Sequence, residues 1–345
     1  MDPAAPRGEA DHVARFRRLA TITVFATVVL ILIGGIVRVS DSGLGCGPAG
    51  SGTQGWPLCE GGLLPGGDYT AFVEFSHRVA ATVVGVLILA LVVVALRNLR
   101  GHRLIVRGSI AAGVLVLAQA ALGGLTVEEG LHEYLVAAHL GLAMLLLALV
   151  LVLRRLAQAD AEEPAPRAAQ GPQGGSRALR VVTGAATVLV LATIVAGGLV
   201  AGTEGEGKPS EPVLGAHSAC GEQFPACLDR FMPFGLDRLV DIQLTHRLFM
   251  YLAAIAVVAM AVVAARQRAP SRAFYVAPAV LAVQILLGAL NVWSGEHAGL
   301  IVAHLAVATL LWSVVVVAAT SLVPASAPVG GRVQRTQTAA GAAAA

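Results

Sequence analysis

Four histidines interrupt long runs of hydrocarbon in this sequence: His77 in FVEFSHRVAATVVGVL, His139 in LVAAHLGLAMLLL, His246 in IQLTHRLFMYLAA and His304 in LIVAHLAVATLLW. Ionisable side chains are costly inside a bilayer, so each is a functional candidate by default. Counted from Phe72 and from Glu133, His77 and His139 lie roughly 8 Å and about 9 Å below the outer ends of their helices at the helical rise. On two helices of one bundle their imidazoles can therefore face each other, and His246 and His304 stand in the same relation further along. Opposed imidazoles inside a four-helix bundle are an axial ligand set for haem iron. Two pairs offer two such sites. A bare metal ion would need a third or fourth ligand at that depth, which the second half does not supply. Four separately packed or helix-bridging histidines are the plainer alternative, and two pairs at matching depth in matching repeats argue against it.

Glu74 precedes His77 by three residues and so shares its helix face. That places a group able to accept and release protons beside whatever His77 holds; the alternative is a structural pairing with Arg38 or Arg78. Arg78 and Arg247 directly follow a candidate ligand, where they either snorkel to the surface or clamp haem propionates.

The elements that must carry these residues follow from composition. With 56% hydrophobic and 13% charged residues and a mean hydropathy of +0.76, the chain has more apolar surface than a soluble core needs. The sequence predicts an all-α integral membrane protein. Runs near the length of a bilayer crossing lie at about 20–39, 72–97, 104–127, 133–153, 179–201, 239–265, 273–293 and 298–321, giving eight helices. Of 24 basic residues, 18 fall on one side of these spans, from Arg7 to Arg18, Arg97 to Arg107, Arg154 to Arg180, Arg266 to Arg272, and Arg332 and Arg335. By the positive-inside rule that side is cytoplasmic, both termini included, in a multi-pass plasma (inner) membrane protein. The opposite side carries 15 of the 21 acids, so the net charge of +3 reports topology and gives no reason to invoke nucleic acid. The first span is long, with no clean small-residue cleavage site after it, and reads as retained.

The chain also repeats itself. QAALGGLTVEEGLHEYLVAAHLGLAMLLL from Gln119 matches QILLGALNVWSGEHAGLIVAHLAVATLLW from Gln284, setting His132 over His297 and His139 over His304. EFSHRVAATV matches QLTHRLFMYL, and GGIVRVSDSG from Gly34 resembles GGLVAGTEGE from Gly197. Two tandem four-helix bundles related by a pseudo-two-fold axis along the membrane normal are expected. The division is a tail at 1–19, a first half at 20–156, a flexible linker at 157–178, a second half at 179–323 and a low-complexity disordered tail at 324–345. The halves differ where chemistry would differ: the first has Glu74 where the second has Gln243, and Arg38 where the second has Ala201.

All four cysteines fall on the outer side, Cys46 and Cys59 in the first outer loop, Cys220 and Cys227 in the third. This suits an oxidising compartment. Pairing within each loop is the plainest of three connectivities; zinc lacks a C-x-x-C pair, and a redox role stands as the alternative to structural bracing. His12 and His102 read as solvated on the cytoplasmic side, and His132 and His297 as capping or interface residues. His217 has no assignable role.

Taken together, GGIVRVSDSGLGC with WPLC, EFSHR, LGGLTV with AAHLGLA, LTHRLFMYLA, and LGALNV with VAHLAVA resemble the haem A synthase family over roughly residues 20 to 322. The resemblance implies an oxidoreductase that converts the C8 methyl of farnesylated haem O to a formyl group by two hydroxylations and loss of water. It implies His77 and His139 as ligands of the substrate haem O, His246 and His304 as ligands of a permanent haem b, Glu74 as the functional carboxylate, and Cys46 and Cys59 as the family's first-loop pair. Its implied partners are the haem O synthase that supplies the substrate and the assembly of cytochrome oxidase; self-association is left open. The stretch GPAGSGTQG between Cys46 and WPLC departs from the family pattern in length and glycine content. A di-haem b electron-transfer protein is the competing reading and does not need the Glu74/Gln243 difference. A parallel-repeat transporter would need polar, broken midplane helices, which these are not.

Overall fold

The computed structural model describes residues 5–161, 175–203, 215–295 and 297–323. The expected linker lies largely outside the described residues, as do the tail at 324–345 and Arg332 and Arg335 within it. Eight helices carry the fold: α1 Ala5–Val39, α2 Tyr69–Asn98, α3 Arg103–Glu128, α4 Glu133–Ala161, α5 Arg177–Gly202, α6 Arg238–Arg266, α7 Ala273–Trp293 and α8 Ala298–Ser321. All eight are long and apolar enough to cross a membrane. Among the described residues there is no strand, only isolated bridges pairing Cys59 with Gly62 and Cys227 with Arg230.

The two largest departures of helix ends from the expectation, at α1 and α4, have one reason. Helix α1 begins at Ala5, well before residue 20, because Val13, Phe16 and Ala20 recur at helical spacing and are buried. They pack with Leu99, Ile105, Leu153 and Ala157. The charged residues between them face outward, so a segment too polar for a bilayer is still an amphipathic helix. Helix α4 accordingly continues to Ala161 instead of stopping near 153. His102, expected to be solvated, instead sits at this end with Nε2 3.0 Å from the Glu9 carboxylate.

Helices α1 to α4 close one ring of neighbours and α5 to α8 a second, and α1 and α4 meet α5 and α8 between them. Where α4 crosses α5, Gly198 and Gly202 form a small-xxx-small step. A Cβ at Gly198 would lie 3.0 Å from the Ala137 Cα, and one at Gly202 2.5 Å from the Glu133 Cα. Small residues let two backbones approach where lipid gives no hydrophobic drive. Polar contacts fix the register: Trp312 Nε1 donates to the Met144 carbonyl at 2.8 Å, Arg38 Nε donates to the Ala201 carbonyl at 2.8 Å, and Arg238 pairs with Glu133. Arg38 and Ala201, the mismatched pair of the two repeats, thus join across the seam between them.

Candidate haem-binding sites

His77 stands eight residues into α2 and His246 eight residues into α6, while His139 and His304 each stand six residues into α4 and α8. At the helical rise these are depths of about 12 Å and about 9 Å. Helix α2 starts three residues earlier than expected, so His77 sits somewhat deeper than the sequence alone suggested. His77 on α2 and His139 on α4 belong to the first ring of helices, and His246 on α6 and His304 on α8 to the second, so each expected pair shares one bundle.

Each ring rests on a glycine of the preceding helix. A Cβ at Gly34 would stand 3.0 Å from the His77 Cε1, at Gly123 3.0 Å from that of His139, at Gly197 3.1 Å from that of His246, and at Gly288 3.0 Å from that of His304. That approach is tighter than ordinary packing, so a side chain at any of the four glycines makes its ring give by a few tenths of an ångström. The sequence shows them as matched repeat positions, but nothing in one helix reveals that its glycine supports a ring from the next.

The rings are also oriented. The His246 Nδ1 lies 3.0 Å from the Thr193 carbonyl. A carbonyl can only accept, so the proton is on Nδ1 and Nε2 keeps the lone pair that a metal takes. Gln284 Nε2 lies 3.0 Å from the His304 Nε2, and an amide donor there gives His304 the same tautomer. In the first half, Gln119 Nε2 donates to the His139 carbonyl at 2.9 Å. The Nδ1 atoms of His77, His139 and His304 are buried without a satisfactory hydrogen bond, while all four residues remain only partly covered. Imidazoles held against glycine, with the His246 tautomer fixed by the Thr193 carbonyl, fit the axial needs of haem, whereas the His304 Nε2 lone pair is taken by the Gln284 amide and binds iron only if that amide turns away.

The two arginines fasten the outer loops. Arg78 donates to the carbonyls of Leu58 at 2.7 Å and Gly55 at 2.7 Å, and pairs with Glu74. Arg247 donates to those of Ala226 at 2.8 Å and Gln223 at 3.0 Å, with its guanidinium 5.5 Å from the Phe224 ring centre. Both guanidiniums hold outer-loop backbone carbonyls, and Arg78 also holds Glu74. Both loops present the same device, WPLC with a cis Trp56–Pro57 bond and FPAC with a cis Phe224–Pro225 bond. This match was legible in the sequence and was not among the repeats singled out above. Trp56 then covers α3, since a Cβ at Gly124 would be 2.8 Å from its indole.

Glu74 is buried, 3% exposed, and its Oε2 accepts the Cys46 amide at 2.8 Å. With Arg78 on its other oxygen, the structural pairing considered for Glu74 is present, on the same helix face as His77. Gln243, its counterpart, is buried with Oε1 unpartnered. His297 caps α8, its Nδ1 accepting the Gly299 amide at 3.2 Å. His132 stacks on Tyr134 with ring centres 5.4 Å apart, and His217 lies in a short 3-10 turn ahead of Cys220.

The cysteines pair within their loops, Cys46 with Cys59 and Cys220 with Cys227. Alkylation of oxidised protein followed by mass spectrometry is expected to find no labelled cysteine and only those two links; free thiols or cross-loop links would contradict it. The glycine seats predict a second result. Gly288→Val should weaken haem retention in the second half by roughly tenfold, the usual scale of overpacking. Gly85→Ala, where a Cβ meets nothing within 4 Å, should leave the haem-to-protein ratio unchanged.

Comparison with known sequences places this geometry. The sequence pattern of COX15-CtaA, described as cytochrome oxidase assembly protein, matches residues 17–316. A protein of Bacillus pumilus (strain SAFR-032) named Heme A synthase is 34% identical over 144 residues, 41% of this chain and 44% of that protein. A protein of the same name from Alkalihalophilus pseudofirmus is 32% identical over 160 residues, 46% of this chain and 52% of that protein. A third, from Shouchella clausii (strain KSM-K16), is 28% identical over 232 residues, 67% of this chain and 70% of that protein. The chain spans about half the length of the first two of these relatives.

Proposed function

The chain belongs to the COX15-CtaA family of cytochrome oxidase assembly proteins, and from that premise we propose that it is a haem A synthase, oxidising the C8 methyl of haem O to a formyl group. The observation that carries the reading is the set of four glycine-seated imidazoles, paired by half, with a buried carboxylate, Glu74, on the helix face of His77 where the second half has Gln243. The relatives named Heme A synthase support the same reading.

Chemically, the methyl becomes a hydroxymethyl and then a geminal diol, each step taking one oxygen at the level of water, releasing two protons and passing two electrons to an external oxidant, and the diol loses water without further redox change. In this reading His77 and His139 hold and orient the substrate haem O through its iron, and the outer loop, pinned by Arg78 and Trp56, excludes water above it. Glu74 accepts and returns protons at Oε1 or Oε2 as hydroxyl groups form and the diol dehydrates. His246 and His304 hold haem b, which supplies one-electron redox chemistry when bound. Gln243, neutral where Glu74 is charged, makes the second half an electron-carrying site rather than a reacting one.

The arginine distribution supports a plasma-membrane protein with both termini cytoplasmic, and the loop disulfides accord with an oxidising outer face. The chemistry requires a farnesylating haem O synthase upstream and delivery to cytochrome oxidase downstream. Membranes containing the expressed chain, given haem O and extracted over time, should show haem A by chromatography. Haem O left unconverted, with haem b alone at two per chain, would overturn the proposal in favour of an electron-transfer protein.

A further inference from the structure

At the end of the bundle remote from the disulfide loops, α1 and α4 enclose an open cleft of about 450 Å³ lined by Arg17, Arg18, Thr21, Ile22, Arg154 and Gln158. Arg154 Nε donates to Thr21 Oγ1 at 3.0 Å, and that hydroxyl donates to the Arg17 carbonyl at 2.8 Å, so the Arg154 head is tethered at the cleft. Among the described residues no carboxylate pairs with Arg17, Arg18 or Arg154. Three like charges converging with no counter-charge among the described residues repel one another, and an anion between them removes that cost.

Two further observations narrow the anion. From Arg18 the same face of α1 continues through Ile22, Phe25 and Val29, at helical spacing and 56%, 68% and 53% exposed. A charged cleft that opens onto an apolar track matches an amphiphile with its head among the arginines and a chain along the track. The second half lacks the arrangement: with Gly197 over Gly34 and His304 over His139, Val181 stands for Arg18 and Ala319 for Arg154. Charge required only for orientation would not have to gather in one cleft of one half.

We propose that this cleft binds the phosphate head group of an anionic phospholipid, with an acyl chain lying along Ile22, Phe25 and Val29. Basic pockets between membrane helices recognise such head groups at about fivefold in affinity per arginine. The test titrates full-length protein in detergent with phosphatidylglycerol and with phosphatidylcholine of the same chains, read by native mass spectrometry. Phosphatidylglycerol should be retained preferentially. Arg18→Gln and Arg154→Gln should each weaken it about fivefold and together roughly thirtyfold, whereas Arg180→Gln in the second half should not change it. Arg18 is exposed, so its variant removes charge without disturbing packing. Equal retention of the two lipids, or undiminished binding in the double variant, overturns the proposal. Displacement of the lipid by millimolar inorganic phosphate, with phosphate alone binding as well, would assign the cleft to a free anion and overturn it too.

Discussion

Glu74→Gln is expected to leave haem bound in both halves and to lower conversion of haem O by at least about a hundredfold, the lower range of what a positioned acid–base group contributes. The substitution keeps an amide oxygen for the Cys46 amide but removes the charge that Arg78 meets and the capacity to carry a proton. Two roles for Glu74 are thereby separable. If the carboxylate acts on protons, turnover falls while the Cys46–Cys59 disulfide stays as resistant to reductant as before. If it only fastens the loop, turnover and protection fall together. Unchanged turnover would remove Glu74 from the chemistry altogether.

The second large effect concerns the ligands. His246→Met or His304→Met should alter the spectrum of the resident haem and raise its midpoint potential, since a thioether replaces one of two nitrogen ligands. His246→Ala should reduce retention by tenfold or more, as even outer-shell losses at metal sites cost about that. His77→Met should leave the resident signal intact and disturb only the substrate haem. The reverse pattern would show that the halves carry each other's assignments.

The residues themselves explain what could be read beforehand. Eight apolar runs announce eight helices because lipid demands both length and self-satisfied backbone, and the paired histidines stand out because they recur at matching positions of the two repeats. The start of α1 was hidden because hydropathy averages the arginines around Phe16 with the stripe that Phe16 belongs to. The glycine seats were visible only as repeats, since their purpose lies on a different helix, and the loop carbonyls that Arg78 and Arg247 hold are about 20 residues away in sequence and leave no local sign. The Glu74 contact to Cys46 joins residues 28 apart in sequence. No local pattern encodes it.

The central claim is that each half grips one iron between two imidazoles. It is tested most directly by counting low-spin haem per chain, by extraction and paramagnetic resonance, in protein supplied with haem b and haem O. The account predicts two irons in the unaltered chain, one in His77→Ala, one in His246→Ala and none when both are changed. Protein that carries no haem, or variants that all keep two low-spin irons, would contradict it.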